Sequence, residues 1–219
     1  MTNWAAPTSL AGLRSEYQTA GLDVGDLLPD PMQQWHRWFD QASDTGCVEP
    51  HAFVLSTVDA DGSPDSRYVL ARGADQRGFV FFTNFTSAKS RQLDAQPNVA
   101  LLFTWLQLHR QVRVRGVVER LPDAESDSYY ASRPRGSQIG AWASPQSEVL
   151  PDRHWIEQRV TELEQTFGDV DAIPRPAHWG GWLVRPTVFE FWQGRPSRLH
   201  DRLRYRLDGT SWVTERLAP

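Results

Sequence analysis

Lys89 has the clearest chemical setting in this chain, because it is the only lysine among 23 basic residues. It follows a run of apolar residues that ends at Thr83, and the hydroxyl groups of 83–87 predict the N-terminal cap of a helix. The free amides and partial positive charge of a helix N-terminus favour an anion. The helix dipole disfavours a lysine in the first turn, so a bound anion would account for Lys89. The alternative is a solvated surface lysine beside an ordinary cap.

Because the chain has one lysine, one class of phosphate-binding loop is excluded and any lysine chemistry must use Lys89. A Walker-type loop requires Gly-Lys followed by Ser or Thr, whereas Lys89 follows Ala88. A Schiff base with a carbonyl substrate has Lys89 as its single candidate. The other 22 basic residues are arginines, and a coding bias is the simplest explanation for that excess. Arginine nevertheless binds carboxylates and phosphates in a bidentate manner through its planar guanidinium.

Two predicted strands carry further arginines. Residues alternate through 110–115, so that Gln111, Arg113 and Arg115 share one face and the valines between them share the other. This polar face is either exposed to solvent, which is the commoner case, or lines a ligand groove. Arg67 and Arg72 lie in an earlier strand, and their odd spacing puts them on opposite faces unless a bulge intervenes.

Tyr129 and Arg133 lie four residues apart on a predicted helix and therefore share a face. Pro134 ends this helix, and Ser137 follows in the next segment. A tyrosine, an arginine and a serine together form a clamp suited to a phosphate or a carboxylate. Taken alone, the Tyr129–Arg133 pair is more often a contact on the surface of a helix.

The stretch that ends in Arg202 is the densest in chemically active side chains. Two aromatic residues and a Gly/Pro turn precede Arg198, His200 and Arg202, whose period of two predicts a strand edge with three polar side chains on one face. One alternative is a basic strip for nucleic acid, reinforced by Arg204 and Arg206, but the net charge of −4 argues against it. The six histidines show no metal-ligand spacing, so no metal centre is expected.

Composition excludes several other classes of protein. The chain is 40% apolar and 23% charged, which is typical of a globular protein. Cys47 is the only cysteine, which leaves no disulfide framework and no thiolate metal site. The first 20 residues lack the basic start and apolar run of a signal peptide, and no stretch approaches the roughly 20 apolar residues of a membrane span. The expected compartment is the cytoplasm.

Hydrophobic periodicity predicts many short strands with helices between them. The predicted strands are 52–58, 66–72, 78–83, 99–105, 111–119, 181–184, 188–192, 203–207 and 211–216. The predicted helices are 9–20, one that follows Pro31, 87–95, 123–133 and 152–167, and residues 1–8 are expected to form a loose tail. The expected fold is mainly β with flanking helices (α+β). It is a nearly closed antiparallel barrel with helices outside it, built by residues 1–219 as a single domain.

Several short motifs form a recognisable set when they are taken together. They are 67–72, Phe82-Thr83 with Ser87-Ala88-Lys89, Arg110-Gln111-Val112, 132–142, Gln146-Ser147, Trp179-Gly180-Gly181, 190–194, 198–202 and the ending 216–219. This set closely resembles the pyridoxamine 5′-phosphate oxidase family. The resemblance runs from about residue 10 to residue 219.

The resemblance implies an FMN-binding split β-barrel that forms a homodimer, with FMN at the subunit interface. The FMN contacts it implies are Arg67, Arg72, Phe82, Thr83, Ala88, Lys89, Gln111, Gln146, Ser147, Trp192 and Arg202. The substrate contacts it implies are Arg14, Tyr17, Arg72, Tyr129, Arg133, Ser137, Arg198 and His200. By similarity, Tyr129, Arg133 and Ser137 hold the substrate phosphate. Arg198 and His200 are the catalytic pair over the pyridine ring, and Arg14 and Tyr17, on the first helix, cover the bound substrate.

Two positions depart from the pattern of the family. The family usually has lysine where this chain has Arg72, and arginine where it has Ala88. Arg72 keeps the charge on a bulkier side chain, whereas Ala88 removes a cationic partner. Loss of one charge-assisted contact costs roughly 1–3 kcal/mol where nothing replaces it. The expectation is a retained function with weaker cofactor binding.

The implied activity is oxidation of pyridoxamine or pyridoxine 5′-phosphate to pyridoxal 5′-phosphate by O₂, with H₂O₂ as the second product, as in vitamin B6 synthesis and salvage. Two alternatives stay open. An FMN-dependent oxidase of a phenazine-type aromatic intermediate would share the FMN site, although such substrates carry no phosphate for Tyr129, Arg133 and Ser137. A flavin-binding protein with little turnover would have no use for Arg198 and His200. Neither a membrane nor a nucleic acid is expected as a partner.

Overall fold

Nine strands and five helices make up the part of the chain that the computed structural model describes, residues 16–168 and 170–219. The strands are β1 (Ala52–Val58), β2 (Pro64–Leu70), β3 (Gly73–Asp75), β4 (Gly78–Asn84), β5 (Asn98–Trp105), β6 (Arg110–Arg120), β7 (Trp179–Gln193), β8 (Asp201–Asp208) and β9 (Ser211–Leu217). The helices are α1 (Pro31–Asp44), α2 (Ala88–Ala95), α3 (Asp123–Ala131), α4 (Arg135–Ala143) and α5 (Arg153–Phe167).

The sheet curls until its two ends meet. Its order is β2-β1-β5-β6-β7-β4-β3, so the two outermost strands of this path, β2 and β3, are neighbours in sequence. Ala71 and Arg72 join them: the amide of Ala71 donates to the carbonyl of His51 (3.0 Å), and the amide of Arg72 donates to that of Val80 (2.7 Å). The chain thus passes from one sheet edge to the other, which confirms the predicted antiparallel barrel with flanking helices.

The crossing at Ala71 and Arg72 also corrects a predicted strand. The sequence predicts a strand over 66–72, whereas β2 spans Pro64–Leu70. Arg72 therefore lies beyond the strand, and the expectation about the faces of Arg67 and Arg72 does not apply. Polarity alone cannot place this boundary, because the amide of Arg72 donates to Val80 of β4, near the opposite end of the sheet order.

Strand β7 is one continuous strand of 15 residues, so the two predicted strands 181–184 and 188–192 are wrong. It pairs with β6 along nearly its whole length, and on its other edge it pairs first with β4 and then with β8. The β4 ladder ends at Val184 and the β8 ladder begins at Val188. Pro186, which lacks an N–H group, lies in this gap between ladders, where no donor is required on that edge.

The register between β6 and β7 shifts at this gap, since Arg115 pairs with Val188 and Gly116 with Pro186, which leaves Thr187 of β7 as the extra, bulged residue. A Cβ at position 116 would overlap the carbonyl oxygen of Arg185 and crowd Pro186. The backbones approach closely at the bulge, where β7 bends and changes its partner on the other edge. Glycine is therefore required at position 116 for steric reasons.

Aromatic side chains fill the barrel, and α1 closes one of its ends. The helix predicted after Pro31 is confirmed as α1, with Pro31 in its first turn, and Asp30 caps it by accepting a hydrogen bond from the amide of Gln33 (3.0 Å). Trp35 packs edge-on against Phe79 and Phe103 at ring distances of 5.0 and 5.2 Å. The predicted alternation of β6 is confirmed, since Val112 and Val114 are fully buried and Arg113 and Arg115 are exposed.

Helices α4 and α5 form a second layer with a small core of their own. Ile139 and Ala143 of α4 pack against Leu163 of α5 and Ile173. The sequence missed α4, because Gly136 and the preceding proline are typical of a turn and the packing partners lie far along the chain. The predicted helix 123–133 ends earlier, at Ala131.

The predicted helix 9–20 is wrong over residues 16–20, which form no regular structure. Its remaining residues, the tail 1–8 and Arg14 lie outside the described residues. No helix in the described part of the chain combines the length and the apolar character that crossing a membrane requires.

Substitution Gly116→Ala should lower the free energy of unfolding by about 1–3 kcal/mol, because the added methyl group meets backbone rather than a flexible side chain. Urea denaturation measures the change. Gly136→Ala is the matched control, since a Cβ there meets nothing within 4 Å, and its effect should stay below about 1 kcal/mol. Equal stabilities of the two variants would contradict the close approach of β6 and β7.

Candidate active site

A cavity of about 770 Å³ opens beside the junction of β2 and β3. Eight residues singled out from the sequence line it: Arg72, Phe82, Thr83, Lys89, Tyr129, Arg133, Ser137 and Gln146. They come from β4, α2, α3, α4 and the connections between elements. None of the described residues that line the cavity is an aspartate or a glutamate.

Lys89 points toward neutral oxygen atoms rather than toward a carboxylate. Its Nζ donates to Oε1 of Gln146 (2.9 Å) and to Oγ1 of Thr83 (3.2 Å), and it lies 3.5 Å from Oγ of Ser87. Burial, with a smaller contribution from the nearby positive charge of Arg67, lowers the pKa of Lys89 to about 8. An anion bound here would stabilise the charged form of the lysine.

The guanidinium of Arg67 lies near Lys89 and is held in place by several contacts. From β2 its guanidinium donates to the carbonyl of Leu55 (3.3 Å) and to Oε1 of Gln92 on α2 (3.0 Å), and it pairs with Asp65. Ser87 caps α2 as predicted, accepting a hydrogen bond from the amide of Ser90. Two cations and the positive end of α2 therefore meet in one place, next to a single carboxylate.

Arg133 is another cation of the cavity, and its guanidinium is partly buried against an aromatic ring. Its guanidinium lies 4.6 Å above the ring of Trp179. Its Nη1 is buried and has no hydrogen-bond acceptor among the described residues. Burial lowers the pKa of Arg133, and the nearby Arg72 acts in the same direction. A buried donor without an acceptor is costly, so this geometry favours an incoming anion.

Three aromatic rings hold this side of the cavity rigid. Phe82 stacks on Tyr129 with ring centroids 3.9 Å apart and planes at 18°, and on Trp179 at 5.4 Å and 11°. Arg133 follows α3 rather than belonging to it, so the predicted shared helical face is wrong. Tyr129, Arg133 and Ser137 nevertheless line the same cavity, because α3 and α4 meet at Pro134.

A second group of predicted site residues lies on the outer face of the sheet. Gln111 on β6 is the register partner of Trp192 on β7, which is in turn the partner of Arg202 on β8. Directly paired residues share a face, so the three form one row across three strands. Arg202 donates to Oε1 of the buried Glu190 (2.8 Å) and to the carbonyl of Ala218 (3.0 Å), and the bond to Glu190 raises the pKa of Arg202.

Arg198 and His200 lie in a turn, which corrects the predicted strand edge. Pro196–Arg198 is a short 3₁₀ turn, and β8 begins only at Asp201. Ser197 and Arg198 both have positive φ, 56° and 63°, although neither is glycine. Such backbone strain is concentrated at functional sites. The prediction assumed an extended backbone, which the sequence Arg-Pro-Ser-Arg does not adopt here.

The protonation of His200 follows from its contacts. The amide of Arg195 donates to Nδ1 of His200 (3.1 Å), so this nitrogen carries no proton. Burial lowers the pKa of His200, and the charge of Arg198 lowers it further. The ring is therefore neutral at pH 7, with its proton on Nε2. Trp192 lies 4.6 Å from the His200 ring and Tyr17 lies 5.9 Å from it.

The two groups lie toward opposite ends of β7. The cavity adjoins Trp179, the first residue of the strand, whereas the second group surrounds Trp192, near its last. Fifteen residues of extended chain span roughly 45–50 Å. One copy of the chain therefore does not bring all the predicted site residues together. Ala88 adjoins Lys89 in α2, and Ser147, with φ of 75°, follows the cavity residue Gln146.

The basic strip considered for nucleic acid is largely neutralised. Arg204 pairs with Glu215, and Arg206 lies 3.7 Å from both Asp208 and Glu215. The two arginines that would reinforce the strip are thus paired with carboxylates, which weakens the case for binding a phosphate backbone.

Some residues of the site carried no signal as individual residues. Trp179 supports Arg133, and Glu190 holds Arg202, although the sequence showed them only as parts of motifs. Tyr68 lines the cavity with 73% of its surface exposed. The sequence around Tyr68 does not predict that it lines a cavity, because this position depends on where the barrel closes.

Comparison with known proteins assigns this geometry to a family. A family model described as "Pyridoxamine 5′-phosphate oxidase" matches residues 39–167. The chain belongs to the pyridoxamine 5′-phosphate oxidase family. A second model, described as "Pyridoxine 5′-phosphate oxidase C-terminal dimerisation region", matches residues 179–219, which hold the second group of site residues except Tyr17 and Gln111.

Relatives of this family match along nearly the whole chain. A Cupriavidus taiwanensis protein named pyridoxine/pyridoxamine 5′-phosphate oxidase is 54% identical over 213 residues, 97% of this chain and 100% of that protein. A Salinibacter ruber protein of the same name is 51% identical over 214 residues, with the same coverage. The solved structure of PhzG from Burkholderia lata, in complex with tetrahydrophenazine-1-carboxylic acid, has a TM-score of 0.85 and 32% identity, over 92% of this chain and 99% of that one. The predicted family and split-barrel fold are confirmed.

The lone lysine allows a direct test of the cavity's electrostatics. Reductive methylation with ¹³C-formaldehyde labels Lys89 and the N-terminal amine, and a Lys89→Arg variant identifies the lysine signal. Its NMR titration midpoint should lie near pH 8 in the folded protein and near about 10.4 in urea. Inorganic phosphate should raise the folded midpoint, because a bound anion favours the charged lysine. Equal midpoints in the folded and unfolded protein would show that Lys89 is not buried.

Proposed function

We propose that this chain oxidises pyridoxine or pyridoxamine 5′-phosphate to pyridoxal 5′-phosphate. The observation that carries the proposal is the cavity with three cations, Arg72, Lys89 and Arg133, and no acidic residue among its described lining. A cofactor and a substrate that each bear a phosphate supply the two anions for which such a cavity is suited. Relatives named pyridoxine/pyridoxamine 5′-phosphate oxidase match 97% of the chain.

The donor set fits FMN. Lys89, Arg67 and the start of α2 would hold its phosphate, since their positive charges outnumber the one nearby carboxylate. Thr83 and Gln146 would line the same side, and the row of Gln111, Trp192 and Arg202 would supply further polar contacts. When bound, FMN supplies two-electron redox chemistry between substrate and O₂.

The substrate phosphate would bind beside Arg133, apart from the FMN phosphate at Lys89. The buried Nη1 of Arg133 has no acceptor among the described residues and would donate to this phosphate, and Ser137 and Tyr129 line the same wall. Trp179 and Phe82 fix the orientation of Arg133 and Tyr129 by stacking. Because these groups are held before the ligand arrives, little side-chain entropy is lost on binding.

The reaction requires orientation rather than a strong base. Pyridoxamine 5′-phosphate, O₂ and water give pyridoxal 5′-phosphate, ammonia and H₂O₂, whereas pyridoxine 5′-phosphate and O₂ give pyridoxal 5′-phosphate and H₂O₂. The substrate's C4′ carbon loses a hydride equivalent, and its amine or hydroxyl group loses a proton. Arg198 would lie beside C4′, and His200 would donate its Nε2 proton to a polar group of the ring. A neutral histidine suits this role, since its Nδ1 already accepts the amide of Arg195.

A homodimer completes the site. The cavity group and the group around Trp192 lie far apart in one chain, and both contain residues that the family pattern places at one ligand. A two-fold dimer brings the Trp192 face of one copy over the cavity of the other and forms two equivalent sites. The match of residues 179–219 to a dimerisation region supports this arrangement.

Two positions modify the cofactor site in this chain. Ala88 contributes no charge beside Lys89, so Arg67, Lys89 and the α2 terminus carry the phosphate without a further cation. Arg72 lies on the wall near Arg133 and lowers the pKa of Arg133 through its own charge. The guanidinium of Arg72, which is bulkier than the lysine usual in the family, can therefore contact either the FMN or the substrate.

A second candidate is oxidation of a phenazine-type aromatic acid, because PhzG is 32% identical with a TM-score of 0.85. Its ligand, as named, carries a carboxylate and no phosphate. The clustering of Tyr129, Arg133 and Ser137 favours the phosphorylated substrate, since a dianion satisfies several donors at once.

The proposal is tested by colour. The purified protein should be yellow, and anaerobic addition of pyridoxamine 5′-phosphate should bleach its visible flavin absorbance, which air should restore. In Arg133→Met the substrate concentration that gives half-maximal bleaching rate should rise about 10- to 100-fold, because hydrogen bonds to charged groups contribute roughly 1.5–3 kcal/mol.

Arg153→Met is the matched control, since the Arg153 side chain is 86% exposed and lies outside the cavity. It should bleach as the unaltered protein does. A yellow protein that no phosphorylated B6 vitamer bleaches would refute the oxidase proposal. Bleaching by a dihydrophenazine carboxylic acid alone would establish the second candidate.

The composite site is tested by complementation between subunits. Arg133→Met and Arg198→Met should each have low activity, whereas co-expressed, differently tagged copies should recover about a quarter of wild-type kcat/KM. Half of the dimers are then mixed, and each mixed dimer has one site with both arginines intact. Activity no greater than that of the two variants measured separately would place both arginines in sites formed by a single chain.

A further inference from the structure

Residues 16–23, here termed the N-terminal strap, lie across the turn that carries Arg198 and His200. The carboxylate of Glu16 accepts the amide of Ser197 (3.1 Å), and the guanidinium of Arg195 donates to the carbonyl of Thr19 (2.9 Å). At its far end the amide of Leu22 donates to Oδ2 of Asp201 (3.0 Å). The strap is therefore tied to both sides of the turn.

The ring of Tyr17 occupies a slot in the middle of this contact. It stacks on the imidazole of His109, with ring centroids 4.3 Å apart and planes at 28°. Its edge meets Trp192 at 6.2 Å, and His200 lies 5.9 Å away. A Cβ on Gly194 would come within 2.6 Å of the Tyr17 ring and 3.0 Å of His109 Cβ, so the slot exists only because residue 194 has no side chain.

The backbone fixes His109 as one wall of this slot. His109 has φ of 50° in the connection before β6, and its amide donates to the carbonyl of Leu106 (3.0 Å). Its own carbonyl accepts the amide of Gly194 (2.8 Å) and Nε2 of Gln193 (3.2 Å). The imidazole is thereby anchored to the end of β7, next to Trp192.

We propose that His109 is a positioning residue, which holds Tyr17 against Trp192 and His200 so that the strap covers the substrate. The inference rests on the proposed function for the identity of that substrate. The His109 ring stacks on Tyr17, which is among the residues assigned to the substrate, and His109 acts through that contact. Loss of the ring leaves the strap tied at its ends but free over the site.

The experiment compares His109→Ala, which removes the stacking face, with His109→Phe, which keeps it. In hydrogen–deuterium exchange of the FMN-loaded protein without substrate, the peptide covering residues 16–22 should exchange about 3- to 10-fold faster in His109→Ala, as expected for loss of one aromatic pair. His109→Phe should restore the wild-type rate. The KM for pyridoxamine 5′-phosphate should rise by a similar factor in His109→Ala, with kcat within about two-fold, because the cover contributes to binding rather than to chemistry.

His154→Ala is the control for removing a histidine, because His154 is exposed on α5, and it should change neither exchange nor KM. Unchanged exchange in His109→Ala, or a His109→Phe variant as fast as His109→Ala, would overturn the role of the ring. A fall in kcat with KM unchanged would also overturn it. If no variant, nor the unaltered protein, oxidises a B6 vitamer, the proposed function fails, and the exchange rates still decide whether His109 holds the strap.

Discussion

The structure depends on one shared strand. β7 pairs with β6 along one edge and divides its other edge between β4 and β8. The change of partner on that edge coincides with Pro186, which has no N–H to donate, and with Gly116, whose missing side chain lets the β6 and β7 backbones approach closely. The ladder between β4 and β7 forms a wall of the cavity. The ladder between β7 and β8 holds Trp192 and Arg202, which continue the row that begins at Gln111 on β6. The length of β7 thus separates the two halves of the site and makes a second copy of the chain necessary in the proposed arrangement.

The two halves of the site differ in whether their cationic side chains already have a carboxylate partner. On the outer face Arg202 is paired with the buried Glu190, so its position is fixed before any ligand arrives. In the cavity, by contrast, Lys89 donates hydrogen bonds to neutral oxygen atoms, Nη1 of Arg133 has no acceptor among the described residues, and burial lowers the pKa of both side chains. Charged groups held this way destabilise the unliganded protein, and a bound phosphate would offset that cost.

Local sequence patterns predicted the features that depend on neighbours along the chain. Ser87 and Lys89 identified the start of α2, Pro31 that of α1, and Val112 and Val114 the buried face of β6. Each of these follows from a cap, a dipole or an alternation within a few residues. The family motifs added the identities of distant site residues, although they gave no distances between them.

Tertiary structure alone decided the features that depend on contacts between distant parts of the chain. It joined the two predicted strands into β7, folded α4 against Leu163, and placed Arg198 in a turn with positive φ rather than in a strand. It also left Nη1 of Arg133 without an acceptor in the part of the chain that the structure describes, and it put Tyr17 on His109. A sequence determines local preference, whereas pairing partners, burial and missing acceptors are set by which surfaces meet, and that is known only once the barrel has closed.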